Sequence, residues 1–425
     1  MLLRFGVANH LSIRHKQELS LVALSSIKDD EQALIDFTAN KRHRALPVAV
    51  IYGANGSGKS NLTDALTWMS RQVLASHRSG DPEEGVDRQP FRLNRSCLSM
   101  PSLFDIDFMV RGVRYHYGFE ASDSAFVSEW LYAYPRHVRQ VLFERENKNF
   151  SFGRNLKGHN KTIADLTRNN SLFLSAAYQN DHSDLMPVAR YFQFLNCHSR
   201  IWIPGIGVSR SLDNQEIDNR AIRFLEKIGT GVVGYKREEL GFSEDVLTLQ
   251  NEFNKVIQKV TGNQLDFSSS MDKMFNYELA HRANDGSKIY FDLSNESAGT
   301  RRLLTLLGPV FHALDKGHPL IIDELDASLH TEACEALIEL FSVPRTNPKG
   351  AQLVATTHDT NLLRSRSLRR DQMWFIEKSV DGDSRLFPLT DVRTRRGDNI
   401  EKGYLQGRYG GIVFPGSLDE FADFG

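Results

Sequence analysis

Residues 53–60 read Gly-Ala-Asn-Gly-Ser-Gly-Lys-Ser, which fits the pattern G-x-x-x-x-G-K-[ST]. Each residue type in that pattern has a physical reason to be there. Glycines let the backbone wrap close to a polyphosphate with its N–H groups turned inward. A helix starting near Gly58 points its positive end at the same anion. Lys59 brings a charge to the β and γ oxygens, and the Ser60 hydroxyl can bind Mg²⁺. Lys59 is expected to be a phosphate contact and not a core residue. A glycine-rich turn can match such a pattern by accident, but its flanks argue otherwise. "LPVAVIYG" before it is a continuous apolar run, the mark of a parallel strand buried on both faces. Leu62, Leu66 and Met69 after it recur at helical spacing. The implied chemistry is binding of a nucleoside triphosphate, with ATP and Mg²⁺ the expected ligands.

Three further segments place polar chemistry beside apolar runs. "PLIIDEL" closes on Asp323-Glu324. An aspartate at the end of a buried strand, beside a phosphate loop, holds the Mg²⁺ shell, and the adjacent glutamate can orient or deprotonate the attacking water. An exposed acidic strand end would be the ordinary reading without that loop. "LVATTHD" ends in Thr356, Thr357 and His358, and this histidine could donate a hydrogen bond to a γ-phosphate. A lone histidine is more often structural, so His358 draws its weight from the other motifs. In "LSNESAGTRRLL", Ser297, Ala298, Gly299 and Thr300 lead into a helix carrying Leu303, Leu304, Leu306 and Leu307. A plain N-cap is the better local reading of that start. Its position just before the Asp-Glu strand tips the balance toward a second anion site.

These segments need a scaffold. Residues 2–24 read as a strand, a turn and a second strand, and the polar stretch 75–88 as a loop. From 103 the period becomes two: "LFDIDFMV", "VRYHYGFE", "FVSEWLYAY" and "QVLFERE" form an antiparallel meander. Its aromatics are explained by sheet burial before any base-stacking role. Residues 160–285 carry mostly helical patterns, such as "NEFNKVIQKV", with no sustained heptad. "KIYFDLS", "PLIIDEL", "AQLVATTHD", "QMWFIEKS" and "SRLFPL" are strands, the first of them separated by helices. The expectation is an α/β fold with an N-terminal ATPase lobe over 1–160, a helical insertion over 161–285 and a C-terminal lobe over 286–425.

Length and composition bound the rest. The 425 residues allow two or three domains, and a net charge of −1 excludes a global basic field drawing the chain onto nucleic acid. Cys97, Cys197 and Cys334 are too scattered for a disulfide framework or structural zinc. The N-terminal stretch lacks the features of a signal peptide, and no apolar run nears the ~20 residues that span a bilayer. The chain reads as cytoplasmic, with no membrane partner.

The order of phosphate loop, long interval, Ser-x-Gly at a helix start, Asp-Glu and then His resembles the ABC-type ATPases of the SMC, RecF and OLD kind. It is more closely similar to the bacterial AAA_15, RloA-like and AbiLi-type ATP-binding proteins. "GANGSGKSNL" resembles their Walker A, which implies nucleotide contacts from Gly53, Asn55, Gly56, Ser57, Gly58, Lys59, Ser60 and Asn61. "ESAGTRRLL" is similar to their degenerate signature, implying contacts from Ser297, Gly299 and Thr300. "IIDELDASLH" resembles Walker B and the D-loop, with Asp323 on the metal, Glu324 catalytic and Asp326 the D-loop aspartate. "TTHD" resembles the switch segment, with His358 catalytic, and "QPFRLN" sits where a Q-loop would place Gln89 near Mg²⁺. The closing "EKGYLQGRYGGIVFPG" also resembles a tail of this group. Both ends of the chain are covered well and the middle poorly. Two departures stand out. Ser-Ala-Gly-Thr lacks the double glycine of transporters, and "ANHLSI" has Leu11 where SMC-like relatives often carry a basic residue.

The resemblance implies an ABC/SMC-like ATPase head with an antiparallel β subdomain. Two heads would face each other as a homodimer or higher oligomer, each Walker A completed by the partner copy's signature. It also implies a sensor or regulator ATPase of an anti-phage or abortive-infection system, beside a separate effector protein. A RecF-type DNA-repair ATPase and an ATP-clamped scaffold with little turnover stay open. So does DNA as a partner, although a solvated loop is the favoured reading of Arg364, Arg366, Arg369 and Arg370, and of Arg393, Arg395 and Arg396.

Overall fold

The computed structural model describes residues 1–27, 34–37, 43–79, 81, 83–195, 197–198, 216–240, 274–394 and 398–410. The chain divides into two compact units. The first comprises Met1–Ser199, Ala313–Asp326 and Cys334–Gly425, and the second Arg200–His312 and Ala327–Ala333.

The first unit is built on two sheets. One has six strands in the order Cys197–His198, Pro319–Ile322, Gln352–Thr357, Val48–Tyr52, Met373–Lys378 and Ser384–Pro388. The first five are parallel and the last is antiparallel. All residues of Val48–Tyr52, Pro319–Ile322 and Gln352–Thr357 are buried, as continuous apolar runs require in a parallel sheet. Tyr52 pairs with Thr357, and Ile322 with Ala355. The loops after these three strands therefore leave from the carboxyl edge, where open α/β sheets place their ligands.

The other sheet is wholly antiparallel. Its order is Asn149–Phe152, Gln140–Glu146, Phe126–Tyr134, Val113–Ala121, Ser102–Val110, Leu2–Ala8 and Gln17–Ser20. Its inner face is aromatic: Phe104, Phe108, Tyr117, Phe119, Phe126 and Phe143 are fully buried. Helix Lys59–Ser79 lays Leu62, Leu66, Trp68 and Met69 into the same core, with the Trp68 ring 4.6 Å from that of Phe104. Each such side chain contributes about 1.5–3 kcal/mol on burial. The meander is core, as its period of two predicts. Gln352 joins the two sheets, since its buried amide donates to Leu2 O and Leu46 O and accepts from Leu2 N.

The helix also corrects the sequence reading. Residues 75–79 are helical and not loop. Distant groups hold them: His77 N donates to Ser175 Oγ at 3.1 Å, and Arg168 Nη2 donates to His77 O at 2.8 Å. The helices Asn160–Leu166, Phe173–Gln179 and Met186–Tyr191 also belong to the first unit. Glu129, fully buried in the meander, pins one of them by accepting from Phe173 N and Leu174 N.

In the second unit, helix Asn219–Lys227 precedes a three-stranded antiparallel sheet of Val232–Leu240, Met274–Arg282 and Lys288–Asp292. The first two of these strands lie where the sequence pattern reads mostly helical. "VVGYKREEL" is too rich in charge for a clean alternation, and Arg237 is accommodated by stacking over the Phe275 ring at 3.5 Å. The segment "NEFNKVIQKV", Arg395, Arg396, the Cys197 side chain and the tail from 411 lie outside the described residues.

Candidate functional site

The phosphate loop joins the buried strand Val48–Tyr52 directly to helix Lys59–Ser79. Gly56 and Gly58 have φ of +76° and +107°, a region that glycine enters without strain. Gly53 is needed for a different reason. A Cβ there would lie 2.5 Å from Ile376 O and 2.6 Å from Ser57 Oγ. The Ser57 hydroxyl is buried and has no hydrogen-bond partner among the described residues. An orphaned hydroxyl within a loop of turned glycines fits a polyphosphate, whose oxygens would accept from it. Asn55, Gly56 and Ser60 are exposed, and Asn61 is half-buried.

Lys59 is only 5% exposed, buried beneath its own loop and apart from the hydrophobic core. Its ammonium donates to Gly53 O at 2.7 Å and to Ala54 O at 3.0 Å, so the loop's own carbonyls satisfy it. Desolvation lowers its pKa to about 8, against the opposing pull of Asp323, Asp326 and Glu324. Lys59 Nζ also lies 3.3 Å from His358 Nδ1. Because the ammonium can only donate, Nδ1 accepts and the ring proton sits on Nε2. Desolvation first, and then the Lys59 charge, hold the His358 pKa below its ordinary value. His358 is thus a neutral ring with an N–H to offer.

The carboxylates are set by Gln352–Thr357, the strand between Val48–Tyr52 and Pro319–Ile322. Thr356 Oγ1 donates to Asp323 Oδ1 at 2.6 Å and accepts from Glu324 N at 2.8 Å. Glu324 itself has φ of +52°, an uncommon conformation for a non-glycine residue that such constraint sustains. Thr357 Oγ1 and His358 N both donate to Asp326, so this aspartate positions the histidine segment of its own chain. Lys59, Asp323, Glu324, Asp326 and His358 are therefore gathered in the first unit. Gln89 is exposed between the buried Arg88 and Phe91, and its carbonyl accepts from Leu11 N at 2.7 Å.

Ser297, Gly299 and Thr300 belong to the second unit. There the exposed Ser297 caps the helix that opens at Ala298, its Oγ accepting from Thr300 N at 3.0 Å. A Cβ on Gly299 would lie 2.9 Å from Ser328 O, so this glycine also serves a close backbone approach.

The arginines divide. Arg369 is buried against Asp371 at 2.9 Å, and Arg364 pairs with Glu401. Arg366 and Arg393 are exposed. This is less than the solvated run the sequence suggests, and it weakens a basic patch further. Cys97 and Cys334 are buried free thiols. No cluster of metal-ligating side chains is present among the described residues, where no helix is long and apolar enough to cross a membrane.

Sequence reasoning missed Ser12 and Ser384, which reach the phosphate loop from opposite ends of the chain. Asn61 Nδ2 donates to Ser12 Oγ at 2.6 Å, Ser12 Oγ lies 2.7 Å from Ser384 Oγ, and Ser384 Oγ donates to Ser57 O at 2.6 Å. No local pattern marks either serine.

No curated protein matches the chain. A family model does: AAA_21, described as "AAA domain, putative AbiEii toxin, Type IV TA system", over residues 48–364. That span runs from the buried strand before the phosphate loop past His358, and takes in Ser297–Thr300 and Asp323–Asp326. The chain therefore belongs to the AAA_21 family, a mixed α/β P-loop NTPase whose AAA domain implies nucleotide binding.

Proposed function

We propose that this chain binds and hydrolyses ATP with Mg²⁺ and regulates a separate effector protein in an abortive-infection system. One observation supports it most. Lys59, His358 and the Asp323-Glu324 pair meet at the carboxyl ends of three neighbouring parallel strands. Gly53–Asn61 would cradle the phosphates, Ser60 and Asp323 would hold the metal with Gln89 beside it, and Glu324 would take the proton from water. When bound, Mg²⁺ would draw charge from the phosphate oxygens. Asp326 would act on the nucleotide through His358.

The toxin named in the family description carries the abortive-infection context and the expectation of a protein partner. The finer likeness to AAA_15, RloA-like and AbiLi-type proteins, and the ABC/SMC style of head, are part of this proposal. DNA is disfavoured as the principal partner by the pairing of Arg364 and Arg369. The test is Mg²⁺-dependent ATP turnover by the purified chain, with and without DNA, together with a pull-down from the native host. Absence of turnover would leave the scaffold reading, and DNA-stimulated turnover with steep salt dependence would favour the repair reading.

His358→Ala is expected to lower the maximal rate about a hundredfold while ATP affinity changes less than about threefold. A neutral donor at the γ-phosphate matters most as charge shifts in the transition state. Equal loss of ADP and ATP affinity at an unchanged rate would make His358 structural.

The two-chain site can be tested by mixing Lys59→Ala with Ser297→Asp. The close approach of Gly299 to Ser328 makes that glycine a poor place for a carboxylate. Aspartate caps a helix about as well as serine. Ser297→Asp thus adds repulsion toward phosphate with little cost to the fold. In mixed dimers with shared sites, one site carries both lesions and the other neither. Radiolabelled ATP should be retained by the mixture and by neither variant alone. No retention by proven mixed dimers would mean that each site lies within one chain.

A further inference from the structure

Ser384 is fully buried at the start of the last described strand and bonds the phosphate loop across 327 residues of sequence. The polarity of its hydrogen-bond chain is forced. Ser57 O can only accept, so the one Ser384 proton goes there. Ser12 must then donate to Ser384, and the Asn61 amide nitrogen must donate to Ser12. A backbone bond from Ser384 N to Ser12 O at 2.8 Å fixes the two serines to each other. Gly58 permits the approach, since a Cβ there would lie 2.2 Å from Ser384 Oγ.

What this holds is one peptide plane. The described chain contains no cis peptide, so the Ser57 C=O and the Gly58 N–H point in opposite directions. Fixing that carbonyl on the Ser384 side turns the N–H to the other face of the loop. Resting on the nucleotide-site reading above, we infer that Ser384, braced by Ser12, is a positioning residue. It locks the Ser57–Gly58 peptide with its N–H aimed at bound polyphosphate. Without the hydroxyl the plane can flip and present a carbonyl oxygen to the anion. A donor fixed before binding costs no reorganisation when the ligand arrives.

The test compares wild type, Ser384→Ala and Ser12→Ala in the full chain, titrated with ATP, ADP and inorganic tripolyphosphate. Ser384→Ala is expected to weaken all three by a similar factor, about five- to tenfold. Ser12→Ala, which leaves the Ser384 bond to Ser57 O in place but removes the brace from Ser384 and Asn61, should weaken them about two- to threefold. The melting temperature of the nucleotide-free protein should change little. A role confined to folding would lower that temperature and leave polyphosphate affinity in the folded fraction intact, which would overturn the inference. So would wild-type affinity for tripolyphosphate in Ser384→Ala, or in Ser12→Ala should the first variant fail to fold. Failure of the wild type to bind any of the three ligands would instead overturn the nucleotide-site reading, and the inference with it.

Discussion

Lys59→Ala is expected to lose ATP affinity by at least about a hundredfold, the equivalent of roughly 3 kcal/mol of charge-assisted hydrogen bonding. The fold should survive. Lys59 ties together Gly53 O and Ala54 O, both within the loop, and the strand and helix on either side are held by the core. The wild type should carry a pH signature of the same residue. On the proposed reading triphosphate would be bound by the charged lysine, whose pKa is about 8 because the site desolvates it. Affinity should therefore fall as pH rises through about 8, by roughly tenfold per unit beyond it. Lys59→Arg keeps its charge and should be flat over that range, even if weaker at neutral pH. Titration with a fluorescent ATP analogue between pH 7 and 9.5 reads both effects. Unchanged affinity in a folded Lys59→Ala protein would refute the phosphate-loop assignment.

How far the site could be read beforehand depended on whether its parts were local. The strand before the loop, the Asp-Glu strand and the Thr-Thr-His strand are short apolar runs ending in polar residues, and each stands where its run places it. The meander was legible because burial of one face imposes a period of two. The order of strands in the sheet was not legible. Nothing local says that Gln352–Thr357 lies between Val48–Tyr52 and Pro319–Ile322, yet that order lets Thr356 hold Asp323 and lets His358 meet Lys59. Arg369 shows the same limit. Its segment looks like a solvated basic run until the fold supplies the burial that pairs it with Asp371. Ser384 is the extreme case, because its partner is a carbonyl that any residue could have presented.

Glu324→Gln is expected to bind ATP within about twofold of wild type and to turn it over at least about a hundredfold more slowly. The substitution keeps the length and shape of the side chain and removes the proton acceptor. The backbone lets the variant isolate chemistry from structure. Glu324 N is fixed by Thr356 Oγ1, and its left-handed φ suits glutamine as well as glutamate. The amide should therefore stand where the carboxylate stood. Because Asp323 is held by the same Thr356 hydroxyl, loss of that hydroxyl would disturb metal shell and base together. Thr356→Val should thus lower both affinity and rate, whereas Glu324→Gln lowers the rate alone. If hydrolysis releases partner copies, the Glu324→Gln protein should accumulate with ATP as a larger species on size exclusion, and ADP should not produce it. The decisive measurement is single-turnover hydrolysis of bound radiolabelled ATP, which separates the chemical step from product release. A single-turnover rate near wild type in Glu324→Gln would remove Glu324 as the base, while leaving Asp323 free to hold the metal.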